Sequence, residues 1–148
     1  MRWVNWTVAE REDHRVLMTH SLRPRPGYPF ALEVSNEYSL DDRGLAVTTT
    51  AHNVGDRACP YGTGAHPYVT VGTDRVDVAT LHVPAAVSLI TGDRQIPVGH
   101  RRVGGTAEDF SHPRRIEQAR LDTGYTDLQR DGEGRARVVL SAPTAVLG

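Results

Sequence analysis

Residues 31–54 read ALEVSNEYSLDDRGLAVTTTAHNV. The first ten alternate: Leu32, Val34, Asn36 and Tyr38 fall on one side, Ala31, Glu33, Ser35 and Glu37 on the other. A side-chain period of two is the signature of a strand with two unlike faces. The last ten are rich in β-branched residues, which pack well on a pleated surface. Between them DDRG, residues 41–44, supplies turn-forming aspartates and a glycine. Two strands around so short a turn predict a β-hairpin.

The same period runs outward in both directions. RWVNWTV (2–8) sets Trp3, Asn5 and Thr7 against Val4, Trp6 and Val8, and HRVLMTHSL (14–22) is the next expected strand. RPRPGYPF (23–30) has three prolines and a glycine and reads as a loop. Beyond the hairpin, GDRACPYGTGAHP (55–67) is irregular, and YVTVG (68–72) and RVDVATLHV (75–83) alternate again. AAVSLIT (85–91) and RQIPVGHRRV (94–103) form an expected hairpin across Gly92–Asp93. Residues 104–113 read as a loop, and RRIEQARL (114–121) is the only stretch with helical propensity. YTDLQRDGEGRARVVLSAP (125–143) predicts a closing hairpin around Asp131 to Gly134. Many short strands between turns define an all-β domain, a sandwich or a barrel.

Composition removes several functions. A net charge of −1 over 148 residues gives no basic field for nucleic acid or an anionic membrane. All 17 basic residues are arginine. No apolar run approaches the roughly 20 residues of a membrane span, and the N-terminus lacks a signal peptide's apolar core. A single cysteine, Cys59, excludes an intrachain disulfide and a cysteine-based zinc site. The expected location is the cytoplasm.

Seven histidines are present, none paired at a helical zinc spacing. His52 and His66 lie on segments that strand pairing could bring together, but no metal is expected. His66, in YGTGAHPYVTV (61–71), has the strongest local context. Gly62 and Gly64 allow a tight turn and a close approach to a ligand, and Pro67 holds the chain just after the imidazole. A fixed imidazole where loop becomes strand suits a general acid; it equally suits a histidine bonded to backbone at a sheet end. Asp122, in RLDTGYTDL (120–128), suits a carboxylate that accepts hydroxyls or one that caps the Thr123–Gly124 turn. No phosphate loop and no nucleophile elbow occur.

RWVNW, GYPFALEVSNEYSLDDRGLAVTTTAHNVG, PYGTGAHPYV and LDTGYTDL, in that order, resemble the aldose 1-epimerase (galactose mutarotase-like) family. The resemblance runs over most of the chain and is most specific from Gly27 to Tyr68. It implies a β-sandwich of the galactose mutarotase type, residues 1–148 forming a partial domain of it. It implies interconversion of the α and β anomers of a free aldohexose, such as glucose or galactose, by acid–base ring opening. No cofactor or metal is implied. His66 falls on the family's H-P-Y histidine, the acid that protonates the ring oxygen, and Asp122 on the aspartate that holds sugar hydroxyls.

The departures carry equal weight. Met1 stands where the family has the H-G-L histidine, and the upstream arginine is missing. No glutamate stands in the family's V-E-P context, which supplies the base. The expectation is the central portion of an epimerase, holding the acid without the base, with little activity by itself. Its raw sheet edges favour a homo-oligomer. The alternative reading is a non-catalytic carbohydrate-binding module on the same scaffold.

Overall fold

The computed structural model describes residues 4–142. Ten strands make up its regular structure, with one 3₁₀ turn at Val76–Val78 and no α-helix among the described residues. The chain forms two compact units, one up to Ala65 and one from His66 onward.

The first unit is a four-stranded antiparallel meander: β1 (Thr7–Arg11), β2 (Arg15–Leu22), β3 (Leu32–Asp41) and β4 (Gly44–Asn53), in that spatial order. The 31–54 hairpin forms as expected. Leu32 pairs with Asn53, and the register runs unbroken to Asp41 opposite Gly44. The turn is tight, with only Asp42 and Arg43 outside the ladder. Asp41 accepts the Arg43 backbone N–H at 2.8 Å and its guanidinium at 2.6 Å, while Gly44, at φ +114°, takes a conformation that L side chains rarely adopt.

The alternation read from the sequence becomes two unlike faces. Leu22 opposite Leu32, His20 opposite Val34 and Val16 opposite Tyr38 lie on the apolar face, and β4 continues it with Ala51, Val47 and Leu45. Leu22, Leu32 and Val34 form the core at one end, packed by Trp6, Tyr28, Ala51 and Cys59. At the other end Leu40, Leu45 and Val47 stay more than half exposed. The opposite face is polar: Arg15 reaches Glu10 and Glu37, each at 2.6 Å, across three strands, and Ser21 donates to Glu33 at 2.7 Å. The first strand differs from expectation. It begins at Thr7 rather than near Arg2, and Trp6, just before it, lies against the His20 ring, centroids 5.6 Å apart. Residues 2 and 3 of that expected strand lie outside the described residues.

The second unit holds two three-stranded antiparallel sheets. One is ordered β10 (Val139–Ser141), β5 (Thr80–His82), β8 (Arg114–Arg115); the other β7 (Pro97–Arg102), β6 (Ala85–Thr91), β9 (Tyr125–Leu128). The chain crosses from β5 to β6 through Val83 and Pro84, and the core gathers there: Ala79, Val83, Ala85, Phe110 and Ile116. Phe110 is wholly buried, with the Arg114 guanidinium carbon 4.0 Å from its ring centre.

Four expectations fail in this unit, two of them because pairing with distant strands overrides the local reading. YVTVG forms no strand: it finds no ladder partner, and Tyr68 and Val69 are 91% and 72% exposed. RVDVATLHV spends its first half in the 3₁₀ turn and is a strand only over Thr80–His82. RRIEQARL is not helical. Arg114–Arg115 pairs with β5, the N–H groups of Ile116 and Glu117 bond to the carbonyls of Ala79 and Asp77, and Glu117 takes a φ of +51° that ends any helix. The closing hairpin does not close. Its turn forms, with Asp131 N–H on the Arg135 carbonyl at 2.9 Å, but β9 pairs with β6 and β10 with β5.

Candidate active site

The segment leading to His66 is tied down on its upstream side. Tyr28 donates its hydroxyl to the Pro60 carbonyl at 2.8 Å, and Asn53 holds the Arg57 carbonyl at 2.8 Å. Gly62 and Gly64 then follow without left-handed backbone, and a Cβ on either meets nothing within 4 Å. The tight turn expected of them is therefore absent.

His66 is exposed and sits in irregular chain, not where a loop becomes a strand. Its ring lies 4.9 Å from the Tyr68 ring, the planes tilted by 37°. Pro67 between them favours extended backbone, which directs residues two apart to the same side. Downstream, Gly72 N–H bonds to Thr70 Oγ1 at 3.1 Å and Val71 packs on the second unit's core. The sheet-end alternative finds no support: His66 is at no sheet end, and no hydrogen bond to its ring occurs among the described residues.

Asp122 lies in the irregular LDTG segment between the Ile116–Ala119 turn and β9. It is exposed, and its carboxylate bonds to no described residue, so the turn-capping role is not seen either. The segment behind it is firmly placed. Gly124 accepts from the Leu89 N–H at 2.8 Å, and a Cβ on Gly124 would stand 3.1 Å from Leu89 Cδ1. Tyr125 donates its hydroxyl to the Glu108 carbonyl at 2.9 Å. The Glu108 carboxyl is held below its ordinary range by Arg101, 2.7 Å away. Burial raises the Tyr125 phenol. These supports were not read from the sequence; the only trace of them is the glycine–tyrosine pair after Asp122.

No hydrogen bond joins His66 to Asp122, and neither lines the larger concavities. One of these, about 740 Å³, lies on the first unit and is lined by Arg11–Val16, Tyr38, Leu40 and Leu45. No group of three or more His, Cys, Asp or Glu side chains among the described residues could hold a metal ion. An accessible imidazole and an unengaged carboxylate can donate a proton and accept hydroxyls.

The family model for aldose 1-epimerase matches residues 1–145, and the chain belongs to that family. It is 31% identical over 123 residues to the uncharacterized protein YihR of Escherichia coli (strain K12), a match spanning 82% of this chain and 40% of YihR. The crystal structure of the GalM/aldose epimerase homologue from C. elegans superposes with a TM-score of 0.65 at 17% identity, over 95% of this chain and 46% of that one. The all-β fold of the galactose mutarotase type is thus borne out. The chain spans less than half the length of these relatives. No described helix is long and apolar enough to cross a membrane.

Proposed function

We propose that this protein takes part in the anomerisation of a free aldohexose, with His66 as the acid toward the ring oxygen and Asp122 as a holder of sugar hydroxyls. Membership of the aldose 1-epimerase family over residues 1–145 carries the reading. The free state of both side chains agrees with it, since neither is committed to the fold. Opening the ring breaks the C1–O5 bond, places a proton on O5 and removes one from the C1 hydroxyl. Rotation about C1–C2 and reclosure then give the other anomer. His66 supplies the first proton, and the Tyr68 ring beside it limits the directions the imidazole can take. A cytoplasmic location belongs to the same proposal.

The second proton needs a base, and no glutamate of the chain stands in the family's V-E-P context. Each general acid–base group contributes about 10² to 10⁴-fold. The 148-residue chain is therefore expected to turn over slowly by itself. Polarimetry of freshly dissolved α-glucose or α-galactose tests this, with formate or acetate added as an external base. The expected result is a rate near that of buffer that rises with carboxylate concentration more steeply than the same carboxylate raises it without protein, the excess being absent in His66→Ala. Sugar binding with no rise beyond that of carboxylate alone favours the carbohydrate-binding module. Rapid anomerisation without added carboxylate, lost in His66→Ala, overturns the missing-base part.

A further inference from the structure

We propose that β4 is a homodimer interface, joining two copies edge to edge as antiparallel strands. Among the described residues β4 pairs only with β3, so its outer edge has unpaired backbone N–H and C=O groups along ten residues. Such an edge is a template for another strand. Every other edge is short or defended. β1 has an irregular register between Val8 and Glu10 and ends in Glu10 and Arg11. β7 has Pro97, Arg101 and Arg102, and β8, β9 and β10 span only two to four residues. From Gly44 to Asn53 there is no charge and no proline. Leu45 and Val47, 64% and 52% exposed, extend the apolar face to that edge.

The strand's composition selects a second copy as the occupant. A twofold axis normal to the sheet brings β4 against itself, and residues of one face must then meet residues of the same face. The pairing is centred on Thr48 or on Thr49. Centred on Thr48, it sets Val47 opposite Thr49 and Leu45 opposite Ala51; centred on Thr49, it sets Val47 opposite Ala51. Pairs of β-branched and small apolar side chains are favourable across strands, and no like charges face each other. His52, the strand's one titratable residue, meets Gly44 or Ala46 and never its own copy. The result is a continuous eight-stranded sheet with both Leu45–Val47 patches on one face. Both copies use up their β4 edges, so assembly closes at two.

Sedimentation equilibrium on the chain, with the Thr48→Lys/Thr49→Lys double variant, tests this. In either register one of the lysines faces its own copy. The wild type is expected to be a dimer. The variant's dissociation constant is expected to rise at least about tenfold, as like charges opposed across an interface require. Val8→Lys on β1 is expected to stay dimeric. Circular dichroism confirms that each protein is folded, and if the double variant is not, Thr48→Lys and Thr49→Lys singly take its place, one of which faces its own copy in either register. A monomeric wild type, a dimer unaffected by the β4 lysines, or open-ended oligomers each overturn the proposal.

Discussion

The imidazole of His66 and the ring of Tyr68 stand 4.9 Å apart on either side of Pro67, tilted by 37°. Both are exposed, so the contact limits a side chain that solvent would otherwise leave free. In Tyr68→Ala the His66 ring protons are expected to lose the ring-current shift of the neighbouring aromatic, as read by NMR. Stability should change by less than about 0.5 kcal/mol, as for surface sites in general. Unchanged His66 resonances would show that the pair does not persist in solution.

Asp122→Asn keeps the shape of a side chain that bonds to no described residue. The fold is expected to be unaffected. Sugar affinity is expected to fall about tenfold or more, because hydrogen bonds to a charged group contribute about 1.5–3 kcal/mol. Calorimetry with glucose and galactose measures it, and equal binding by the variant removes Asp122 from the site.

Gly124 is where β9 enters the sheet, and a Cβ there requires the Leu89 side chain to give by a few tenths of an ångström. Gly124→Ala puts a methyl 3.1 Å from Leu89 Cδ1. Overpacking of this kind costs about 1–3 kcal/mol. Shortening the opposing side chain makes space, so Gly124→Ala with Leu89→Ala should be less destabilising than the two single changes added together. Urea denaturation of all four proteins gives the coupling, and strict additivity would exclude the contact.

Glu108 makes stability depend on acid. Its folded pKa is held below the ordinary value of 4.5 by the Arg101 hydrogen bond. A group depressed on folding stabilises above its unfolded pKa, and that stability is lost as pH falls through the folded one. Urea midpoints are expected to hold steady from pH 7 to about pH 5 and to fall below the ordinary value of 4.5. Arg101→Gln should flatten part of that fall without changing the plateau by more than about 1 kcal/mol, since Arg101 is half exposed.

The sequence made the first unit readable and much of the second unreadable, for one physical reason. In β2, β3 and β4 each strand pairs with its neighbour in the chain, so alternation, turn chemistry and tertiary contacts agree. In the second unit β5 lies between β10 and β8, and β6 between β7 and β9. There Ile116 is drawn to Ala79 by a contact 37 residues away, which no local propensity for a helix over 114–121 could anticipate. The candidate site divides likewise. His66 and Asp122 could be named because their motifs are local strings. The Leu89 and Glu108 groups that fix the Asp122 segment could not, because they come from distant parts of the chain.

The turn at Asp42–Arg43 also bears on the order in which the molecule forms. It joins the most extensive ladder among the described residues, whose pairs start 3 residues apart at the turn and reach 21 apart at Leu32–Asn53. Hairpins form in about 1–10 μs, and local topology favours fast folding. The β3–β4 hairpin can therefore zip up as soon as it leaves the ribosome, and β2 can add to it from the N-terminal side. The sheet around β5 must wait until Val139–Ser141 has been synthesised. During that interval the newborn chain displays the bare β4 edge with its own C-terminal half still unfolded.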